Sequence, residues 1–219
     1  MITFKPHKVF DHITPYLPAN PIIIEAGAFT GQETITMATR WPHATIYAFE
    51  PVPAIFAQLE QNTAHLPNVH CYNIALSSST GTAEFYVSEK PTKPGIPSQA
   101  GSLQKPKERL KHSPMQFPYV IEVPTITLDG WARQHNINHV DMLWLDMQGH
   151  ELSVLQAAPR ILPTVSVIYT EVGFIEAYEG QPTYEVVKNW LESQGFTMIG
   201  KDFVDQTAWF FGNALFVRN

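Results

Sequence analysis

The chain is poor in cysteine, in charge and in long apolar runs. Cys71 is its only cysteine, which excludes an internal disulfide and a multi-cysteine metal site. No stretch approaches the ~18 consecutive apolar residues that a membrane-spanning helix needs, and residues 1–10 lack the apolar centre of a leader peptide. Charged residues are only 16% of the chain, and acids outnumber cations 20 to 14, for a formal net charge of -6. Domains that grip nucleic acid through its phosphates are usually basic, so that class is disfavoured, although Lys105, Lys107, Arg109 and Lys111 form a local basic cluster. The expectation is a soluble protein of a reducing, cytoplasmic compartment with neither a membrane nor a nucleic-acid partner. Hydrophobic residues fill 44% of the 219 positions, enough for one α/β domain over the whole chain, 1–219, with a sizeable core.

What the chain does have is two apolar runs that each end in an acid. Ile22-Ile23-Ile24 leads into Glu25-Ala26-Gly27-Ala28-Phe29-Thr30-Gly31, and Tyr47-Ala48-Phe49 leads into Glu50-Pro51. A glycine turn lets backbone approach a ligand closely. A carboxylate about twenty residues on, at the tip of the neighbouring strand, is placed to accept from a ribose diol. The glycine spacing does not fit the dinucleotide fingerprint, which needs Gly-x-Gly-x-x-Gly for a pyrophosphate. Glu25 disfavours an anion there and suits an ammonium. S-adenosylmethionine, with a cationic amino-acid tail and a ribose, satisfies both ends.

Along the chain, strand-like runs at 22–26, 45–49, 69–76, 141–146 and 165–172 alternate with helical stretches at 32–41, 54–64, 150–158 and 183–193. Such alternation predicts a parallel sheet covered by helices. Thr183 reads as the cap of the last helix, and Gly195 as its stop. The closing runs at 196–200 and 208–217 are too close for a parallel crossover and form an antiparallel pair. The alternation is interrupted by strands at 82–88 and 120–127, a short helix at 129–135, and a Pro-, Gly-, Ser- and Lys-rich segment at 89–118. An unstructured stretch of that length is uncommon inside a compact domain. It reads either as a lid or specificity insertion or as a surface loop.

These motifs, taken in order, resemble the FkbM family of class I S-adenosylmethionine-dependent methyltransferases over most of the chain. Glu25 to Gly31 resembles the family's first motif, Phe49-Glu50-Pro51 its second, and Asn73-Ile74-Ala75-Leu76-Ser77 its third. Asp141-Met-Leu-Trp144-Leu-Asp146-Met-Gln148-Gly149-His150-Glu151 resembles its Asp-x-x-Lys-x-Asp-x-Glu-Gly-x-Glu signature, with Trp144 and Gln148 replacing Lys and Glu. The resemblance implies a Rossmann-like mixed sheet of order 3-2-1-4-5-7-6, the last strand antiparallel, with helices on both faces and an inserted hairpin or loop. It implies methyl transfer, with O-methylation of a small-molecule or saccharide hydroxyl as the first reading. Nucleic-acid N-methylation and a non-catalytic nucleoside-binding or scaffold role are the alternatives.

The resemblance also distributes roles. Glu25 takes the cofactor's amino end, Gly27 and the backbone of Ala28, Phe29 and Thr30 pass beneath its methionine portion, and Glu50 with Pro51 takes the ribose. Asn73, Ala75 and Leu76 flank the adenine. Asp146, His150 and Glu171 are the candidates for general base and acceptor binding, with Asp146 also a candidate cofactor ligand. A divalent metal is compatible with such acids, but no ligand spacing demands one. Ser102-Leu103, inside the insertion, reads either as a cover for the ligand or as passive loop.

Overall fold

The computed structural model describes residues 2–5, 8–204 and 209–219. Eight strands form the main sheet: β1 (Ile2–Thr3), β2 (Ile22–Ala26), β3 (Thr45–Phe49), β4 (Val69–Tyr72), β9 (Met142–Leu145), β10 (Val167–Gly173), β11 (Phe196–Lys201) and β12 (Phe211–Arg218). Their order is β1-β11-β12-β10-β9-β2-β3-β4. From β4 to β11 this is the expected order, and the two-residue β1 adds a parallel edge beyond β11. Only β12 runs antiparallel to its neighbours. The expected start of that strand, Ala208, lies outside the described residues.

The central strands are near-continuous apolar runs because helices cover both faces. Alternation along each strand divides the core in two. Ile24, Leu143 and Ile168 face a cluster that includes Trp131, Leu155 and Leu191. Those side chains come from α5 (Leu128–Gln134), α6 (Glu151–Gln156) and α7 (Tyr184–Ser193). Ile23, Met142, Trp144 and Tyr169 face the other way, toward Val9, Ile13 and Met37. Those belong to α1 (Val9–Ile13) and α2 (Gln32–Arg40). Pro53 opens α3 (Pro53–Thr63), where its fixed φ suits the first helical turn. The Thr127 hydroxyl caps α5 by accepting from Gly130 N at 3.0 Å. Thr183 occupies the cap position of α7 but makes no side-chain cap bond.

Two expectations are corrected. The strand read at 69–76 is two strands: β4 ends at Tyr72, and β5 (Ala75–Leu76) joins a separate sheet. The 89–118 segment is also not devoid of structure, since it contains β7 (Pro97–Ser102) and α4 (Arg109–His112). The second sheet has order β5-β8-β6-β7, with β6 (Gly81–Glu89) and β8 (Gln116–Ile126) as its long antiparallel pair. Phe85, Val87 and Val123 of this sheet pack on Val52, Ile55 and Ala75. The sheet therefore lies over the chain that leaves β3 and the start of α3, where the strand-end loops of the main sheet gather.

Candidate functional site

The site begins where β2 and β9 come closest. Asp146 N donates to Ala26 O at 3.0 Å, directly before the turn at Gly27. Gly27 has φ +86°, and a Cβ placed on it would lie 1.8 Å from the Asp146 carbonyl oxygen. That atom is backbone, so it cannot swing aside as a side chain could. Gly27→Ala is expected to destabilise the protein by at least ~1–3 kcal/mol from the backbone strain alone, with the clash adding to it. Chemical denaturation of the cofactor-free variant checks this, and an unchanged midpoint overturns it.

The same turn is tied to β3. Gly27 N and Ala28 N both donate to Phe49 O at 3.0 Å. Phe29 adopts φ +49°, uncommon for a bulky residue. Its amide donates to Glu50 Oε2 at 3.1 Å, while Val52 N donates to Glu50 Oε1 at 2.9 Å. Glu50 thus braces the loop from inside. Burial pushes its carboxyl up to about 8 against those two bonds. Glu25 is likewise raised to about 8 by burial, opposed by the Thr34 hydroxyl, which donates to Oε2 at 2.5 Å. The charged groups acting on it, Glu33 and Asp146, are both acids. Among the described residues, Glu25 therefore faces no cation.

These groups open onto a cavity of about 510 Å³, well within the range of small-molecule sites. The loop side contributes Glu25, Gly27, Phe29, Glu50 and Pro51, and the opposite wall Ala75, Leu76, Asp146 and His150. Phe85, Val87 and Leu103 of the inserted region close it from above. A smaller cavity of about 270 Å³, bordered by Lys90, Lys93 and Ile96, shares Phe29, Gln32, Ser98 and Gln99 with it. Among the described residues, no group of three or more His, Cys, Asp or Glu has the geometry of a metal site.

Four expected residues do not border the cavity. Ala28 packs against Ala48 and Leu59. The Thr30 carbonyl accepts from Asn62 Nδ2 at 2.8 Å. Asn73 donates from Nδ2 to the Glu50 and Pro51 carbonyls at 2.8 and 3.0 Å, so it shapes the second motif from behind. Glu171 is buried behind Gln148, whose Nε2 it accepts from at 3.0 Å. Burial, then the charges of Asp146 and Glu151, raise its carboxyl well above the usual range.

Asp146 does face the cavity. Its carboxyl is raised to about 6, chiefly by desolvation at the packed strand end, and the bond from Gln148 opposes that rise. Its side chain opens onto the cleft, so water there moderates the rise. His150 borders the cavity too, but Nε2 is hydrogen-bonded with Ser77 Oγ at 3.1 Å and Nδ1 is buried without a partner among the described residues. Burial lowers its pKa, which favours the neutral ring. Glu151 is structural: it accepts from Met147 N at 2.8 Å and from Gly149 N at 3.1 Å, closing the turn into α6.

Sequence reasoning missed the residues around the two departures from the signature. Trp144 stacks on Phe10 at 5.3 Å between ring centroids and packs 4.1 Å from Tyr169. It anchors α1 on the sheet where a lysine would have placed a charge beside Glu25, its register partner. Gln148, at φ +55°, bonds to Asp146, Glu171, Arg109 and Tyr178. Arg109 is therefore no part of a surface patch. Lys105, Lys107 and Lys111 pair with Glu179, Glu176 and Glu108, which disperses the rest of the basic cluster. The Ser102 hydroxyl donates to the Gln148 carbonyl at 2.9 Å.

Known proteins resemble this chain in sequence and in fold. The family model described as the methyltransferase FkbM domain matches residues 25–198. The 2-O-methyltransferase NoeI of Sinorhizobium fredii is 28% identical over 175 residues, covering 80% of this chain and 72% of its own. The hexuronic acid methyltransferase AglP of Haloferax volcanii is 24% identical over 152 residues, 69% of this chain and 55% of its own. Among solved structures, magnesium protoporphyrin IX methyltransferase of Synechocystis with bound S-adenosylmethionine superposes with a TM-score of 0.53 at 12% identity, covering 96% of this chain and 76% of that one. An rRNA methylase from Streptococcus thermophilus gives 0.54 at 12% identity, covering 100% and 98%. These structures share the Rossmann-like fold. The chain belongs to the FkbM family and is an S-adenosylmethionine-dependent methyltransferase.

Proposed function

We propose that this enzyme methylates a hydroxyl of a saccharide or other small molecule, with Asp146 as the general base. The observation that carries the reading is the convergence of Glu25, Glu50 and Asp146 on one cavity at the strand ends of the main sheet. Two relatives support it by what they act on, one as a 2-O-methyltransferase and one on hexuronic acid.

In this reading Glu25 holds the cofactor's ammonium, the 27–31 turn passes beneath its methionine portion, and Glu50 accepts from the ribose. Ala75 and Leu76 line the adenine. The residues fit the group because a buried Glu25, with no cation beside it among the described residues, calls for one, and the braced Glu50 keeps lone pairs free for a diol. When bound, the cofactor supplies an electrophilic methyl group. The protein's part is to orient the acceptor hydroxyl, remove its proton at Asp146 and keep bulk water out beneath the second sheet. His150, with Nε2 engaged and Nδ1 enclosed, serves as wall rather than base. Glu171 acts only from behind Gln148. A cytoplasmic setting completes the reading and rests on composition alone.

Calorimetry with the cofactor and with S-adenosylhomocysteine, followed by turnover against a saccharide panel, tests this. The panel pairs neutral with uronic-acid saccharides, because Lys90 and Lys93 border the adjoining cavity. Cofactor binding without turnover on any hydroxyl acceptor favours the scaffold alternative.

A pH dependence follows from Glu25 and Glu50. Both are raised in the folded protein, so the stability they add is present below the unfolded carboxylate value of ~4.3 and is lost as pH rises toward 8. An ammonium ligand needs Glu25 ionised. Cofactor affinity should therefore rise between about pH 6 and 8, by up to ~10-fold per unit per proton released. Calorimetry at pH 7 in two buffers of different ionisation enthalpy reads that proton directly. A pH-independent affinity removes Glu25 from the ammonium site.

A further inference from the structure

We propose that Gln148 is a positioning residue that holds the Asp146 carboxylate in one orientation and ties that orientation to the seating of the inserted sheet. This inference rests on the reading of Asp146 as the base.

The Gln148 amide is engaged at both its nitrogen and its oxygen. Nε2 donates to Asp146 Oδ1 at 2.7 Å and to Glu171 Oε2 at 3.0 Å. Oε1 accepts from Arg109 Nη1 at 2.9 Å and, at 3.1 Å, shares the single Tyr178 hydroxyl proton with Ala100 O. Which amide atom is oxygen follows from the partners, because a guanidinium can only donate. An amide can accept from that guanidinium while donating to two carboxylates. A carboxylate in its place would satisfy Arg109 and Tyr178 but set a third acid against Asp146 and Glu171. Such a trio holds at least one additional proton.

The network reaches the 89–118 segment at three points, two of them on β7. Arg109 belongs to α4, and its guanidinium also lies 5.4 Å from the Tyr178 ring centroid and 5.3 Å from that of Phe210. The Tyr178 hydroxyl donates to Ala100 O of β7 at 2.7 Å. Ser102, at the end of β7, donates to the Gln148 carbonyl. Tyr178 and Ser102 thus link the amide that fixes Asp146 to β7, and Arg109 links it to α4.

Asp146 is surrounded by Glu25 from β2, Glu33 from α2, Arg109 from α4, Glu151 and the neighbouring His150 at α6, Tyr169 and Glu171 from β10, and Tyr178 beyond it. Arg109 is the one permanent cation in that set. Gln148 therefore separates two acids that would otherwise face each other with a single counter-charge.

The variant Gln148→Glu tests the idea. The acid limb of the kcat–pH profile should move up by about one unit or more, with kcat down ~10-fold at neutral pH and partly restored at higher pH. Cofactor affinity should stay within about threefold, since Gln148 does not border the cavity. Infrared difference titration of the cofactor-free protein should show one more protonated carboxyl than wild type at pH 7. Arg109→Met, which empties the other end of the amide, should shift the limb in the same direction and serves if Gln148→Glu does not fold.

An unchanged profile and carboxyl band in both variants overturns the proposal. So does an equal fall in kcat and cofactor affinity with no shift of the limb, the mark of a purely structural residue. The two readings separate in an Asp146→Asn background. If Asp146→Asn keeps normal turnover, the base assignment fails. If it is inactive while Gln148→Glu behaves as wild type, only the positioning role fails.

Discussion

Asp146→Asn is expected to lower turnover by at least ~10²-fold, with a much smaller effect on cofactor affinity. The carboxyl stands at the end of β9 and borders the cavity. Its raised pKa of about 6 leaves it ionised at neutral pH yet basic enough to take a proton. Asparagine keeps the shape and an oxygen for the bond from Gln148 but cannot accept a proton from the acceptor. His150 is the alternative on the same wall, and its neutral ring lacks an open nitrogen. Turnover at saturating acceptor, with calorimetry for the cofactor, decides between them. Near-normal turnover in Asp146→Asn, with loss in His150→Ala, transfers the role to His150. Activity of the wild type should resist a chelator if Asp146 works as a base. Chelator sensitivity would make it a metal ligand.

Glu50→Ala is expected to weaken S-adenosylmethionine binding by roughly ten- to hundred-fold, or ~1.5–3 kcal/mol. The structure adds a second consequence that the second motif alone does not reveal. Glu50 also accepts from Phe29 N and Val52 N, so its removal leaves two backbone donors without their partner. That should cost ~1–3 kcal/mol of stability as well and loosen the strained turn at Phe29. A 2′-deoxy analogue of the cofactor separates the two effects. Wild type should discriminate against it, and Glu50→Ala should not. Equal discrimination by both proteins would mean that Glu50 acts only as a brace for the loop.

The departures at positions 144 and 148, which leave a non-catalytic role open in the sequence, are both built into the fold. Trp144 has become part of the core beneath α1. Gln148 replaces a charge with an amide that bonds to four side chains. Apart from Asp146, the neighbours that accommodate the two departures lie more than twenty residues away in the chain.

The amino-acid sequence by itself determined the central strands, their helices, the turn at Gly27 and the acids Glu25, Glu50 and Asp146 at the strand ends. All of these follow from local signals: continuous apolar runs, cap residues, a glycine and a carboxylate just past a strand. Strand order came from family resemblance, and periodicity supported only the α/β class. Tertiary structure alone decided that 69–76 breaks between two sheets, because Ala75 and Leu76 find their partners in Thr125 and Ile126. It also decided that Asn73 faces the Glu50 and Pro51 carbonyls, that Glu171 is sealed from the cavity, and that the 89–118 segment carries a strand and the buried Arg109. The physical reason is range. A strand or a cap is settled by residues within a few positions, whereas the setting of Asp146 depends on groups that only the folded chain brings within hydrogen-bonding distance.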